Sequence, residues 1–429
     1  MPLLTINSTA GTSKASAFCC LLWCPERGKH RSPCAPQNAG RRAQSRRYRV
    51  AALALLTIDR PLRSDRRSQT SPDARRPADR LLWVRRAVIL AGTGAIGWAT
   101  ARRLVVAGWE VMVTGRDPAG VPPGLAGLGA QFLQADRHEP ASLPDALGSG
   151  ADLVVDCACY TAAHAAALLP LLGDVTSTVM ISSKAVYIDG QGRHSNSDEP
   201  PQFEAPITES QPTLRPTDAH HNSREGYGPN KVAAEDTLLS SHHPITVLRP
   251  SKIHGAWSRQ PREWFFVKRA LDRRPVVLLA RRGAGADHPS AALNIAALIE
   301  TVADRPGRRV LNAADPDCPD GRTIAAIIAV HLGHTWRQVL LDETAPDGLG
   351  THPWDRIPPI ILNTTAARTL GYTPVGDYQT TVTDELDWLV ATATSDQAAH
   401  QLPPPWDPTS MALTDSYADE DRYVHLHHT

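Results

Sequence analysis

The sequence has no apolar run of about eighteen residues, the length that a helix needs to cross a bilayer. It also has almost no net charge: 45 Lys and Arg stand against 44 Asp and Glu. A protein that binds nucleic acid through its whole surface usually carries a large positive excess. We therefore expect no membrane partner and no nucleic-acid partner, and a cytoplasmic protein that acts on a small molecule.

The seven cysteines have no regular C-x-x-C spacing, which is the usual pattern of a structural zinc site. Four lie near the N-terminus and three in the later part of the chain: Cys19, Cys20, Cys24 and Cys34, then Cys157, Cys159 and Cys318. Nearby histidines, including the adjacent pair His220 and His221, add no recognisable ligand spacing. The sequence therefore predicts no metal site, and reduced thiols of the kind found in a cytoplasm.

The near-zero net charge hides two segments of opposite sign. Residues 1–80 hold sixteen Lys or Arg and five Asp or Glu, whereas residues 81–429 hold twenty-nine and thirty-nine. The first segment is rich in Arg, Ser, Pro and Ala and has no helical or strand periodicity, so we predict that residues 1–83 are a disordered extension. One hypothesis is that the working protein starts at Val84 and lacks this extension, which an intact-mass measurement would test.

A glycine-rich turn follows the first apolar segment of the later part. Residues 88–97 read VILAGTGAIG, so that a strand-like run is followed by G-x-G-x-x-G and then by a helix-like segment from Trp98 to Ala107. We expect Gly92 to allow the tight turn, Gly94 to admit phosphates, and Gly97 to let the helix pack on the strand. This pattern predicts a dinucleotide site, with Thr93 and Ile96 also among its residues.

Strand-like and helix-like segments alternate from residue 84 onward. Strands are predicted at 87–91, 109–114, 131–134, 152–157, 178–182 and 245–248, and two of the helices at 162–172 and 231–240. This alternation predicts an α/β protein with a doubly wound, parallel Rossmann sheet. We expect a nucleotide-binding core over 84–253, a smaller substrate-binding region with returning core elements over 254–394, and a flexible tail over 395–429.

Ligands of such sheets bind beyond the carboxyl ends of the strands, so the residues that follow each strand are informative. Arg116 follows the second strand, at a place where an Asp or Glu would favour NAD(H). A guanidinium there can contact a 2′-phosphate, which favours NADP(H) over NAD(H); the alternative is a solvated surface arginine. Asp136, after the third strand, is placed to meet the adenine amine.

Three further residues form a candidate catalytic set. Ser183 follows the fifth strand, and Tyr227 and Lys231 lie four residues apart at the predicted start of the next helix. That spacing puts the phenol and the ammonium on one helical face. A nearby ammonium favours the phenolate form of a tyrosine, which can then exchange a proton with a substrate hydroxyl or carbonyl.

These motifs resemble the extended short-chain dehydrogenase/reductase superfamily, in particular the NAD-dependent epimerase/dehydratase family. The resemblance runs from about residue 86 to 390 and is carried by AGTGAIG, ISSKAVY, PITESQPTLRP, YGPNK and LRPSKIHGAW. It implies that Ser183, Tyr227 and Lys231 are catalytic, that Lys231 also holds the nicotinamide ribose, and that Pro250 and Ile253 lie near the nicotinamide. It further implies a small-molecule substrate, often a nucleotide sugar, and is compatible with a homodimer.

Departures from the family pattern narrow the expected reaction. Ala91 stands where the family usually has its first glycine, and Gly92 is expected to compensate. The 4,6-dehydratases of this superfamily carry Asp-Glu after the catalytic hydroxyl residue, whereas this chain has Lys184 and Ala185, which disfavours dehydration. The leading interpretation is an NADP(H)-dependent reductase or dehydrogenase. A sugar-nucleotide epimerase and a non-catalytic redox sensor remain as alternatives.

Two segments keep open interpretations. Residues 188–225 form a long polar insert, which is either a substrate lid or a solvated loop. Arg281 and Arg282 precede Gly283 and either meet an anionic group, such as a substrate diphosphate, or form a cationic surface turn.

Overall fold

A computed structural model describes residues 84–204, 206–342, 346, 348–394 and 416–427 of the protein. The predictions for residues 1–83 lie outside the described residues. No helix within the described ranges is both long and apolar enough to cross a membrane.

The strands are β1 Arg86–Leu90, β2 Glu110–Gly115, β3 Gln131–Gln134, β4 Ala151–Asp156, β5 Val175–Ile181, β6 Ile245–Pro250, β7 Lys252–His254, β8 Val276–Leu279, β9 Pro289–Ala291, β10 Arg309–Ala313 and β11 Arg337–Leu340. The helices are α1 Ala95–Val106, α2 Leu143–Leu147, α3 Ala162–Leu168, α4 Tyr227–Leu239, α5 Trp264–Leu271, α6 Ala292–Ala303, α7 Gly321–His331, α8 Thr365–Thr369, α9 Tyr378–Thr381, α10 Thr383–Thr394 and α11 Ser416–His427.

The central sheet has seven parallel strands in the order β10-β6-β5-β4-β1-β2-β3. All six predicted strands are present, with ends that differ from the predicted ones by three residues or fewer. The seventh strand, β10, returns to the sheet from the C-terminal region. The order reverses beside β1, and the predicted doubly wound α/β fold is thereby confirmed.

The two faces of the sheet bury separate apolar clusters because neighbouring side chains on a strand point to opposite faces. On β1, Ala87 and Ile89 face the cluster that includes α1 and α6, whereas Val88 and Leu90 face the cluster that includes α2, α3 and α4. Each of these four side chains is fully buried. Burial on both faces accounts for the nearly continuous apolar sequence of β1.

Residues after β6 form two small parallel ladders, β7 with β9 and β8 with β11. A third apolar cluster joins α5, α7, α9 and α10 through Phe266, Ile328, Trp354, Tyr378 and Leu386, among others. The region thus has its own core. It remains tied to the central sheet, since α6 packs on α1 and β10 pairs with β6.

The polar insert is organised around Asp189, which is 4% exposed. Its carboxylate accepts hydrogen bonds from the backbone N–H groups of Gln191, Arg193 and Gln202, and from the Arg193 side chain. These donors hold the pKa of Asp189 at about 2 against the opposing effect of burial. Bonding of this density favours a definite loop conformation over an open coil.

The C-terminal residues differ from the predicted flexible tail, since residues 416–427 form α11. Glu420 is buried on this helix and accepts a 2.6 Å hydrogen bond from Arg269 of α5. Arg274 also bonds Asp421, and its guanidinium lies 4.4 Å from the Tyr417 ring centre. The prediction was wrong here because the low local hydrophobicity of this segment does not report tertiary ion pairs.

Candidate functional site

The glycine-rich turn joins β1 to α1 and differs in one respect from the prediction. The left-handed residue is Ala91, with φ of +52°, and not Gly92. Gly92 is required for another reason, because a Cβ on it would lie 2.6 Å from Ile89 Cγ2. The Ala91 N–H donates to Thr114 Oγ1 and the Gly92 N–H to the Thr114 carbonyl, which hold the strained turn against β2.

Ala91→Gly is expected to raise the free energy of unfolding by up to about 1 kcal/mol. A left-handed conformation costs an L-residue about 1–2 kcal/mol, which glycine avoids. Glycine also raises the conformational entropy of the unfolded chain, which offsets about 0.4–1 kcal/mol of that gain in stability. Urea unfolding would measure the change. Ala107→Gly is the matched control: Ala107 has φ of −78°, so the same exchange should destabilise. A loss of stability in Ala91→Gly would contradict the assigned strain.

The other two glycines of the turn agree with their predicted geometry. A Cβ on Gly97 would lie 2.2 Å from the Gly92 carbonyl oxygen, whereas one on Gly94 would meet nothing closer than the Trp257 carbonyl at 3.9 Å. The first-turn N–H groups of α1 have no intrahelical acceptor and form the positive end of the helix dipole. Ile96 is 8% exposed, so only its backbone can face a phosphate. Thr93 lies against Gly115 at the end of β2.

Arg116 and Asp136 lie beyond the ends of β2 and β3, as the sequence predicts. Arg116 is exposed, and its positive charge opposes the rise that burial causes in the pKa of Tyr160. The neighbouring Asp117 side chain caps the following turn by accepting from the Ala119 N–H. Asp136 is half-buried and accepts from the His138 N–H. Both carboxylates thus accept local backbone N–H groups, whereas Arg116 is exposed beside Asp117.

Tyr227 is the first residue of α4 and Lys231 lies about one turn later; the helix begins four residues earlier than predicted. The predicted shared face is therefore confirmed. Lys231 is 2% exposed; its Nζ donates to the carbonyl oxygens of Cys159 at 2.8 Å and Ile181 at 2.9 Å. Burial lowers the pKa of Lys231. The ammonium is thus fixed at the carboxyl ends of β4 and β5.

Ser183 lies two residues after the end of β5 and caps a short turn by accepting from the Ala185 N–H. The start of α4 packs closely on this turn, since a Cβ on Gly228 would lie 2.7 Å from the Ala185 carbonyl oxygen. Backbone contact of this kind brings the Ser183 turn and the Tyr227 turn together at one edge of the sheet.

A buried ion pair fixes α4 on the sheet one turn beyond Lys231. Glu235 is 1% exposed and accepts from Arg249 Nε at 3.1 Å, from Arg249 Nη2 and from the Ser182 hydroxyl. Ser182 lies between β5 and Ser183, and Arg249 lies on β6. Glu235 thus links the helix of Tyr227 to the strand that leads to Ser183.

Pro250 is the last residue of β6, and Ile253 lies on β7, the next strand along the chain. Pro250 is buried and pairs in register with Ala313 of β10. Ile253 is half-buried and accepts a 3.3 Å hydrogen bond from Arg262 through its carbonyl. Their predicted proximity to a nicotinamide stays a prediction.

An aromatic cluster beside Tyr227 was not predicted. Its rings are His138, Tyr160, His164, His220, His221 and Tyr227. His221 stacks on Tyr160 at 5.6 Å between ring centres, and Tyr160 lies 6.4 Å from Tyr227. The position of Tyr160 and His164 after β4 could have been read from the sequence. His221 gave no signal, because a long insert carries it.

The cluster changes the interpretation of the insert and of the nearby thiols. Stacking of His221 on Tyr160 brings the 188–225 insert to the candidate site, which favours a lid. Burial lowers the pKa of His164 to about 4, with His138 and Arg137 adding to the effect, so its ring is neutral near pH 7. Burial and Asp156 raise the pKa of Cys157 and of Cys159 to about 12. Neither thiol is therefore a ready nucleophile.

Lys184, next to Ser183, is buried and paired with the carboxylate of Asp287. Lys252 Nζ lies 3.4 Å from the same carboxylate. Burial, with the positive charges of Lys252, Arg356 and Arg262, lowers the pKa of Lys184 well below its ordinary value. Lys184 and Asp287 thus lie among the positive charges of Lys252, Arg262 and Arg356.

Arg281 and Arg282 are exposed and both adopt left-handed φ, +48° and +57°. Arg281 Nη1 lies 3.0 Å from Asp355 Oδ2. The pairing favours the interpretation as a surface turn over a diphosphate contact.

Comparison with known proteins matches no protein-family model and no curated sequence. Solved structures do match. A UDP-glucose 4-epimerase of Thermus thermophilus, solved with NAD, is 15% identical with a TM-score of 0.53; the match covers 71% of this chain and 99% of that one. A dTDP-glucose 4,6-dehydratase of Bacillus anthracis, solved with NAD, is 13% identical with a TM-score of 0.54, covering 72% and 97%.

A UDP-N-acetylglucosamine 4-epimerase of Methanobrevibacter ruminantium, solved with UDP-N-acetylmuramic acid, is 15% identical with a TM-score of 0.55, covering 72% and 99%. Identities this low show the fold alone. The shared fold agrees with the fold that the motifs of the glycine-rich turn and of α4 predict. The chain therefore has the fold of the extended short-chain dehydrogenase/reductases of the epimerase/dehydratase type, as its motifs predict.

Proposed function

We propose that the protein is an NAD(P)-dependent oxidoreductase that transfers hydride to or from a carbonyl or alcohol carbon of a small molecule. The observation that carries the proposal is that Tyr227 and buried Lys231 lie one turn apart on one face at the start of α4, against the Ser183 turn. The three residues lie at the carboxyl edge of a doubly wound sheet, where such folds bind their ligands.

The residues of the turn between β1 and α1 fit a dinucleotide. Gly94 leaves open space where a side chain would block a phosphate, and the uncapped N-terminus of α1 offers N–H donors to a pyrophosphate. A nicotinamide dinucleotide, when bound, supplies or accepts the hydride. The neighbouring structures solved with NAD support this class of cofactor for the chain.

In this proposal Tyr227 exchanges the proton of the reacting oxygen and Ser183 donates a hydrogen bond to the same oxygen. Lys231 favours the phenolate because its fixed ammonium stabilises negative charge nearby. Burial of Lys231 against two carbonyl oxygens keeps the ammonium in one position. The groups are thus arranged before the substrate arrives, which lowers the cost of reaching the transition state.

Among the possible reactions, dehydration fits these residues least well. Lys184 and Ala185 stand where the dehydratases that the motifs resemble carry an acidic pair for elimination, and Lys184 is buried and paired with Asp287. A reductase or dehydrogenase is therefore the leading proposal. Epimerisation is the second, because two of the neighbouring structures are epimerases. The cationic groups Lys252, Arg262 and Arg356 support an anionic substrate such as a nucleotide sugar.

One assay separates the two reactions. The full chain is incubated with NAD(P)⁺ or NAD(P)H and a panel of UDP-hexoses, while nicotinamide absorbance and sugar identity are followed together. Net change in absorbance identifies a dehydrogenase or reductase; isomerised sugar without net change identifies an epimerase. Dinucleotide binding with neither product over a broad carbonyl and alcohol panel would favour the non-catalytic sensor.

The proposed preference for NADP(H) depends on Arg116, and the neighbouring structures, which were solved with NAD, do not support it. Fluorescence titration of the full chain is expected to show NADPH binding at least tenfold tighter than NADH, about 1.4 kcal/mol. Arg116→Ala should remove the preference by weakening NADPH alone. Arg337→Ala, at an exposed position on β11, is the control that should keep it. Equal affinities of the parent chain for NADPH and NADH would show that Arg116 does not contact a 2′-phosphate.

A further inference from the structure

Three ionisable side chains meet in the interior where β7, α5 and α10 converge. They are His254 at the end of β7, Glu263 just before α5, and Glu385 in the first turn of α10. One ligand atom from each lies within 4.8 Å of the other two. The residues are 1%, 1% and 0% exposed. Side chains of this kind are seldom buried so completely without a compensating partner.

Each of the three residues has one polar atom held by a neighbour. His254 Nε2 lies 2.8 Å from Asp315 Oδ2. Glu263 Oε1 accepts from the Tyr378 hydroxyl at 3.1 Å, and Glu385 Oε2 accepts from the Gly255 N–H at 2.5 Å. These bonds fix the orientation of all three side chains.

The second polar atom of each residue has no hydrogen-bond partner among the described residues. These atoms are His254 Nδ1, Glu263 Oε2 and Glu385 Oε1. A buried polar atom without a hydrogen-bond partner is uncommon in a folded protein. Three such atoms that converge on one point require a common explanation. With Nε2 held by the Asp315 carboxylate, Nδ1 is the ring nitrogen that lies toward Glu263 and Glu385, and it can bind a metal ion once it has released its proton.

Three agents can compensate the paired carboxylates: a proton shared between them, a proton on His254 Nδ1, or a cation. A proton on His254, which the neighbouring carboxylates favour against the effect of burial, donates to one glutamate and leaves the orphan oxygen of the other without a donor. A shared proton would let one carboxyl donate to the other, since Glu263 and Glu385 are close enough for that bond. It would leave the lone pair of His254 Nδ1 without a donor. A cation satisfies all three orphan atoms at once, and it neutralises both carboxylates.

We propose that His254, Glu263 and Glu385 bind a zinc ion. One imidazole nitrogen and two carboxylate oxygens form a ligand set that zinc accepts, whereas Mg²⁺ and Ca²⁺ prefer six or more oxygen ligands. Asp315 acts on the histidine as the carboxylate of a carboxylate–histidine–zinc arrangement. The sequence gives no sign of this site, because its ligands come from positions 254, 263 and 385.

The site is independent of the proposed hydride transfer, and its role is structural. Gly255 and Trp257 follow the histidine, and the Trp257 carbonyl is the nearest group to the open side of Gly94. A metal that joins this segment to α5 and α10 therefore braces the wall beside the dinucleotide turn. Zinc loss should lower thermal stability whether or not the chain has the proposed enzymatic activity.

Elemental analysis of the full chain after reconstitution with zinc salt tests the proposal. Glu385→Gln is expected to contain one zinc ion per chain fewer than the parent and to melt at a lower temperature. Glu300→Gln, at a part-exposed glutamate paired with Arg103, is the matched control and should keep the parent zinc content. Zinc held by other histidines is common to both variants and cancels in the comparison.

The same variant distinguishes zinc from a shared proton. In Glu385→Gln the new amide group would donate to Glu263 in place of the acid proton. The shared-proton explanation therefore predicts that the zinc content stays unchanged and that thermal stability is equal or higher. That result would overturn the proposal. If Glu385→Gln fails to fold, Tyr378→Phe removes only the donor to Glu263. Zinc affinity, measured by competition with a chelator, should then fall about 10–100-fold; unchanged affinity would likewise contradict the site.

Discussion

Tyr227→Phe is expected to lower the turnover number about 10²–10⁴-fold, the usual contribution of a positioned acid or base. The exchange keeps the ring, which lies 6.4 Å from that of Tyr160, and removes only the ionisable oxygen. The glycine-rich turn is untouched, so dinucleotide affinity should change by about twofold or less. Turnover is measured under saturating cofactor with the substrate found by the UDP-hexose assay, and affinity by fluorescence titration.

Tyr187→Phe is the matched control for this prediction. Tyr187 lies four residues after Ser183, but its hydroxyl donates to Asn312 at 2.7 Å inside the core. Its loss should lower stability by about 1 kcal/mol and leave turnover near the parent value. Turnover of Tyr227→Phe within about threefold of the parent would remove Tyr227 from the proposed proton transfer, even if the cofactor still binds.

Glu235→Ala is expected to lower the free energy of unfolding by about 3–5 kcal/mol, because it leaves the Arg249 guanidinium buried without its carboxylate. Arg249 is 6% exposed, and the same glutamate accepts from the Ser182 hydroxyl. The melting temperature should fall by about 10 °C. Urea unfolding measures the free energy, and differential scanning calorimetry measures the temperature.

The double variant Glu235→Met with Arg249→Met tests the cause. Removing both charges leaves no unpaired ion, so the double variant should regain most of the stability that Glu235→Ala loses. Glu300→Ala breaks a partly exposed pair with Arg103 and should cost no more than about 1 kcal/mol. A similar cost for Glu235→Ala and Glu300→Ala would show that burial of the Glu235 pair contributes little.

Local pattern sufficed for the sheet and for the order of the candidate site residues. The apolar run at Val88, the glycines that follow it and the four-residue spacing of Tyr227 and Lys231 are short-range signals. Each predicts the local structure correctly except at the turn, where Ala91 and not Gly92 is left-handed. Their shared position at one edge follows from the parallel topology. The catalytic and cofactor roles of these residues remain predictions.

The features that the sequence did not reveal depend on contacts between distant segments. The left-handed φ of Ala91 is imposed by packing of the turn on β2, against the intrinsic preference of alanine. The Lys184 pair needs Asp287, a residue distant in the sequence. Likewise, His221 reaches Tyr160 only because the insert folds back over β4. Such pairings are set by the tertiary structure and have no periodicity to detect.

The α11 helix has a consequence for how the protein could be divided. Its Glu420 fills the pairing requirement of Arg269, which is 1% exposed on α5. The last helix therefore binds the rest of the protein as a peptide would, and Arg269 lies at the centre of its binding site. In a protein shortened to residue 394, Arg269 would lose the Glu420 carboxylate and the Tyr417 ring that cover it. A separate peptide of residues 416–427 would then serve as a complementing fragment, and a tag fused near it would compete with docking.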